Sequence, residues 1–164
     1  MEVVDLPPAS AAGVVAMGSV QYADDPAAAI ARLASWAAPG APVAVLVDSR
    51  VALAAELIRD GRTEEAVTRL ATGRGVWRTG GHEAELHLLD RADLVAAMTA
   101  AGLVDIEVRG LLVGSSVWGR DGCRARLEAD WETSLEEERR LSRLAELADL
   151  GKQLFAVGTA PAVR

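Results

Sequence analysis

Three groups of side chains in this sequence have types and spacing suited to chemistry. The first follows an almost wholly apolar run at residues 12–20 (AGVVAMGSV), where Gly18, Ser19, Gln21 and Tyr22 stand just past Met17. Ligands of open α/β sheets bind beyond the carboxyl ends of the strands, so a hydroxyl, a carboxamide and a phenol placed there can hydrogen-bond a bound molecule. The plainer alternative is that Ser19 and Gln21 cap a loop while Tyr22 packs. The second group is the two histidines, His82 and His87, the residue type most often used as a general base at physiological pH. His87 alternates with Leu86 and Leu88 in a strand-like stretch, where a structural imidazole is also common. The third is Trp77 with Arg78, an aromatic wall and a cationic clamp for a flat or anionic substrate, or else a small packed core beside a solvated guanidinium. No metal is expected, because His82 and Glu83 have no second ligand at metal-binding spacing.

These groups must be positioned by a scaffold, and the periodicity names its parts. Strand-like and helix-like patterns alternate along all 164 residues, which with 51% apolar content predicts one α/β domain over residues 1–164. The run at 12–20 reads as a strand covered on both faces. Asp24, Asp25 and Pro26 then open a helix over 27–37, with Ile30, Leu33, Ala34 and Trp36 inward and Pro39 and Gly40 ending it. A second buried strand (VAVLV, 43–47) follows, so the sheet is partly parallel with a right-handed crossover. Two short helical patterns fill 48–75, parted by Asp60 and Gly61, the second starting at a Thr63 cap; an irregular hairpin around Gly80 and Gly81 fills 77–88. Residues 49–89 together read as an inserted substrate cover. Asp90 and Asp93 start a helix that stops at Gly102, and a strand is expected through Ile106, Val108 and 111–113. Ser134 and Glu137 form a capping box for a helix with Leu141, Leu144, Leu147 and Leu150 inward, and LFAV at 154–157 makes the last strand.

Composition excludes several functions. The net charge of -7, with scattered cations, argues against a nucleic-acid partner. No apolar run reaches the roughly 18 to 20 residues of a membrane span, and the opening MEVVDLPP lacks a signal-peptide pattern, so a cytoplasmic protein is expected. The single cysteine, Cys123, fits a reducing compartment. Trp36, Trp118 and Trp131 read as packing residues, and the charged run 136–140 as the wet face of a helix.

Four segments together resemble the C-terminal part of class I S-adenosylmethionine (SAM)-dependent methyltransferases. DLPPAS at 5–10 resembles the acidic-Leu-Pro turn before that family's fourth strand; DDPAAAIARLASWAAPGAPVAVLVD at 24–48 is similar to its next helix, Pro-Gly turn and fifth strand. LHLLDRADLVAAMTAAGLVDIEVRG at 86–110 resembles the capped helix and strand that come after, and GKQLFAVGTAP at 151–161 the closing antiparallel strand. The resemblance implies a partial Rossmann-like sheet, the family's fourth to seventh strands with helices on both faces. It also implies SAM as cofactor, bordered by Gly18 and Ser19, with Glu2 near the adenine, and Tyr22 and Gln21 ordering the acceptor. Ala12 and Gly13 replace the Phe-Asp pair that often opens the fourth strand, and no G-x-G-x-G glycine turn for SAM occurs in the sequence.

In that family the fourth strand pairs with the first, so here AGVVAMGSV becomes an uncharged open edge of the kind soluble proteins avoid. The expectation is therefore a split, heteromeric enzyme methylating a small molecule, with a second protein subunit supplying the N-terminal half and sharing the SAM site. A non-catalytic methyltransferase-like subunit that stabilises another enzyme, and a binding protein that closes its edge by homodimerisation, are the alternatives.

Overall fold

The computed structural model describes residues 6–162. In chain order its first elements are β1 (Val14–Met17), a 3-10 turn (Val20–Tyr22), α1 (Pro26–Trp36), β2 (Pro42–Asp48), α2 (Arg50–Arg59) and α3 (Thr63–Thr72). A hairpin of β3 (Arg74–Thr79) and β4 (His82–His87) follows, then α4 (Arg91–Ala100), β5 (Val104–Leu111), α5 (Val113–Ala129), α6 (Trp131–Ser142), a second 3-10 turn (Ala145–Leu150) and β6 (Gln153–Thr159). Among the described residues no helix is long and apolar enough to cross a membrane.

The main sheet has the order β1-β2-β6-β5. β1 and β2 are parallel, with Val14 opposite Val43 and Met17 opposite Leu46, and β6 runs antiparallel to both β2 and β5. Strand alternation sends Val14, Ala16, Val43, Val45, Val47, Leu154, Ala156 and Val108 to one face, where all are buried against Ile30 of α1 and Leu94 and Met98 of α4. The opposite face is unevenly covered. α6 approaches it near β5, where Ser142 borders Phe155 and Arg109, but at the β1 end Val15 is 67% and Met17 57% exposed.

Local chemistry accounts for most of the boundaries. The Asp25 carboxylate accepts hydrogen bonds from Ala27 N (2.9 Å) and Ala28 N (3.1 Å), and Pro26 occupies the first helical position of α1. Asp90 and Asp93 exchange capping bonds of 2.9 and 3.1 Å at the start of α4. Gly102 ends that segment at φ +80°, and Gly80 and Gly81 supply the positive φ angles of the hairpin turn.

The structure corrects five expectations. The strand expected over 12–20 is only Val14–Met17, because Gly18 turns the chain at φ +65° into the 3-10 turn; its side chains alternate between buried and exposed instead of being covered on both faces. The strand expected through 111–113 stops at Leu111: Leu112 takes φ +60°, and Val113 already belongs to α5, a helix broken at Gly119 that the sequence pattern did not suggest. α6 starts at Trp131 with Asp130 as its cap, bonded to Thr133 N at 3.0 Å, so Ser134 lies inside the helix. That helix ends at Ser142, and Leu144 is exposed instead of inward. Thr63 is likewise the first residue of α3, and Arg62 stands at the cap position without a side-chain bond to the helix backbone, its guanidinium pairing instead with Glu65.

The excursion between β5 and β6 is pinned at its root. A Cβ on Gly110 would lie 2.5 Å from the Ala148 carbonyl oxygen, and one on Gly151 would lie 2.4 Å from the Gly110 Cα, so the two backbones touch where only glycine fits. Higher up, the Glu138 carboxylate accepts from Val113 N (2.8 Å) and Gly114 N (2.9 Å), capping α5 from a neighbouring helix.

Candidate active site

Because β6 runs antiparallel, its first residues lie at the same end of the sheet as the last residues of β1 and β2. Gly18 to Tyr22, Asp48, Ser49 and Lys152 therefore gather at one edge of the molecule. This is the ligand end of such sheets.

Two tight connections shape it. Gln21 is 3% exposed, and its carboxamide is fully committed to Asp48: Nε2 donates to Asp48 Oδ2 (2.9 Å) and Oε1 accepts from Asp48 N (2.7 Å). Ser49, 1% exposed, caps α2 by accepting from Ala52 N (3.2 Å) and donates its hydroxyl to the Asp149 carbonyl (2.6 Å). The hairpin is anchored to the same place. Arg50 N donates to Leu89 O (2.9 Å), Leu88 N donates to Gly73 O (2.8 Å), and β4 packs on the 3-10 turn that carries Gln21 and Tyr22.

Beneath the hairpin is a cavity of about 160 Å3, lined by Leu53, Trp77, Leu86 and Leu88 together with Asp48, Glu56, Arg69 and Lys152. Its charges are unequally matched. Lys152 Nζ lies 3.0 Å from Glu56 Oε1, and Arg69 is hydrogen-bonded to Glu65, which holds the Glu65 carboxyl below its usual pKa. Among the described residues Asp48 makes no ion pair, although Lys152 and Arg69 share the cavity wall with it. A broader groove of about 680 Å3 runs between α1 and α4 to the hairpin base, where Asp24, Asp25 and Asp93 rim an alanine-rich floor. At its end Arg50 pairs with Asp90 and lies 3.2 Å from Asp93. Burial raises the Asp90 carboxyl, but bonds from Asp93 N and the Arg50 guanidinium outweigh it and leave its pKa below the ordinary value.

The sequence-derived candidates are distributed as follows. Gly18, Ser19, Gln21 and Tyr22 share the turn after β1: Gly18 N donates to Leu46 O (2.9 Å), the space beyond its Cα is open, Ser19 is exposed and Tyr22 half-buried. Trp77 lines the cavity, whereas Arg78 alternates to the other face of the hairpin and pairs with Glu83. His82 shares the Trp77 and Leu86 face but sits at the hairpin tip, roughly 13 Å along the strand from Leu86. His87 faces the opposite way, into the broad groove, with Nε2 2.8 Å from Arg74 Nη1. The two imidazoles are thus not brought together. Glu2 lies outside the described residues. Among the described residues no three His, Cys, Asp or Glu side chains are grouped to hold a metal.

Sequence reasoning passed over Asp48, Glu56, Arg69 and Lys152. For Asp48 a signal existed, since it is the one charged residue closing an apolar strand at the ligand end.

No protein-family model matches the chain, and no curated protein matches it in sequence. Solved structures do match. A SAM-dependent methyltransferase of Methanosarcina mazei superposes with a TM-score of 0.57 at 13% identity, over 98% of this chain and 64% of that one. A Thermotoga maritima SAM-dependent methyltransferase, described as a possible histamine N-methyltransferase, gives 0.55 at 13% identity, over 96% and 60%. A Haloferax volcanii chain solved in complex with the Trm112 methyltransferase activator gives 0.51 at 18% identity, over 98% and 59%. The fold is therefore the Rossmann-like fold of SAM-dependent methyltransferases, and this chain spans about 60% of the length of these structures.

Proposed function

We propose that this chain is the acceptor side of a heteromeric SAM-dependent methyltransferase acting on a small molecule, completed by a second protein subunit that pairs along β1. The observation that carries this reading is the half-dressed sheet: β1 lies at the end of the strand order, and its Val15 and Met17 side chains face solvent. Uncovered apolar residues on an unblocked edge strand are what a neighbouring strand and its helices would bury. A structure solved with a methyltransferase activator is one precedent among folds of this kind for a working partner.

In this reading residues 49–89 cover the substrate, Gly18 and Ser19 border SAM on the described side, and the remaining contacts, including the glycine-rich turn, come from the partner. The open space over the Gly18 backbone and the exposed Ser19 hydroxyl fit such a shared site, but by themselves hold only part of it. SAM, when bound, supplies a sulfonium methyl group open to in-line displacement. The work of this chain is then to hold the acceptor in line, exclude water with the hairpin, and accept the acceptor's proton where it carries one. Tyr22, beside the bridged Gln21 and Asp48, orients the acceptor, and His82 and His87 are candidate bases, His82 requiring the tip of the hairpin to fold inward and His87 an acceptor reached through the broad groove on the other face.

Calorimetric titration tests the proposal. S-adenosylhomocysteine should bind a mixture of this chain and a candidate partner from a neighbouring reading frame, and not this chain alone. Tight binding to the isolated chain would remove the shared-site reading, and a stable complex that never binds the cofactor would replace it with a non-catalytic stabilising subunit.

A further inference from the structure

We propose that the cavity under the hairpin recognises a compact amine, an ammonium group on a short apolar or single-ring body, with Asp48 as its charge partner. This rests on the reading of the hairpin as a substrate cover and deepens it by assigning the acceptor's class.

Size sets the first limit. Pockets for drug-sized ligands run from about 300 to 1,000 Å3, and this one is about 160 Å3, so the occupant is small. The walls set the second. Leu53, Leu86 and Leu88 offer apolar surface, and Trp77, 45% exposed at the mouth, presents an indole to an aromatic ring or to a cation.

Charge selects among molecules of that size. Each cation of the lining already has a carboxylate partner, Lys152 in Glu56 and Arg69 in Glu65, a carboxylate that Arg69 shares with Arg62. Asp48 is the lining charge that makes no ion pair among the described residues, and its partner is a neutral amide: Gln21 bonds one carboxylate oxygen and the backbone N–H of the same residue. That two-point grip fixes the direction of the carboxylate without cancelling its charge. A positively charged group entering the cavity gains a charge-assisted hydrogen bond, whereas an anion of the same shape meets repulsion. The strand end makes the location apt as well, because Asp48 is the last residue of β2, where a ligand lies against the sheet's carboxyl edge.

The test uses the whole chain and three probes of matched shape, 2-phenylethylamine, 2-phenylethanol and 3-phenylpropanoate, followed by ligand-observed NMR titration. The amine should bind saturably, with the alcohol and the acid each about tenfold weaker or more, as expected when a charge-assisted bond is lost. Asp48→Asn keeps an oxygen for Gln21 Nε2 and should lose amine affinity by a similar factor with little change in melting temperature. Trp77→Ala, at an exposed position that does not endanger folding, should weaken the amine severalfold. Absence of saturable amine binding, equal binding of the acid, or an unchanged affinity in Asp48→Asn would each overturn the assignment. Amine binding that depends on Asp48, in a reconstituted complex that transfers no methyl group, would support the pocket while removing the methyltransferase reading. Methyl transfer to acceptors that ignore the Asp48 substitution would do the reverse.

Discussion

Gln21 and Asp48 join the ends of two neighbouring parallel strands: the carboxamide spans from the turn after β1 to both the carboxylate and the backbone N–H that close β2, at 2.9 and 2.7 Å. A buried amide with both its groups spent on one residue fixes the spacing of the strand ends on which the candidate site is built. Replacing it with Gln21→Leu keeps the bulk but leaves a backbone N–H and a carboxylate oxygen without their partner. Loss of stability by about 2 to 3 kcal/mol is expected, read from the midpoint and slope of urea unfolding.

The bare end of the sheet separates stability from assembly. Met17→Lys, at a side chain 57% exposed, should change the stability of this chain by no more than about 0.5 kcal/mol. It should also abolish co-elution with a subunit that adds along β1, as proposed above, in size-exclusion chromatography, because a lysine there blocks strand addition. Full co-elution of the lysine variant would mean that the partner binds somewhere else.

Acid should find the Arg50 and Asp90 pair. The folded Asp90 carboxyl titrates below its usual value, so its contribution to stability is complete above the unfolded pKa, about 3.9, and disappears as pH falls through the lower folded value. Asp90→Asn retains a good helix cap while removing the charge. The variant should be less stable than the parent at neutral pH, by about 0.5 to 1 kcal/mol, and the two should converge below that range in denaturant titrations run at successive pH values.

Glycine-to-alanine substitutions give a contrast within one residue type. Gly110→Ala and Gly151→Ala drive a methyl group into backbone at 2.5 and 2.4 Å and should each cost about 1 to 3 kcal/mol or more, seen as a lower melting temperature. Gly13→Ala meets only ordinary contact, 3.6 Å to Pro42, and should melt close to the parent.

Much of the architecture was legible because chain chemistry and tertiary context agree. VAVLV between a Pro-Gly turn and an aspartate can hardly be anything but a buried strand, and Asp90, Asp93 and Gly102 punctuate α4 on their own. Legibility failed where two local signals competed. LLV at 111–113 continues a strand pattern, yet Leu112 adopts a left-handed conformation and hands Val113 to a helix whose glycines, including the kinked Gly119, hide it from propensity. Ser134 and Glu137 match a capping box on paper, but Asp130 bonds both the backbone and the hydroxyl of Thr133 and starts the helix earlier. Of the candidate site, the turn after β1 was singled out by its place at a strand end. Asp48 was not, because its lack of an ionic partner shows only once the pairings of residues from Gln21 to Lys152 are known.

The backbone contact between Gly110 and Gly151 has a consequence for how this protein can change. Everything between them leaves and re-enters the sheet through one narrow neck, so the ends of the excursion stay registered to each other whatever its middle does. Lengthening such a segment adds little closure entropy. Its helices are therefore free to drift, shrink or be exchanged over generations while β5 and β6 keep their pairing, and descendants of this chain should vary most there and least at the two glycines.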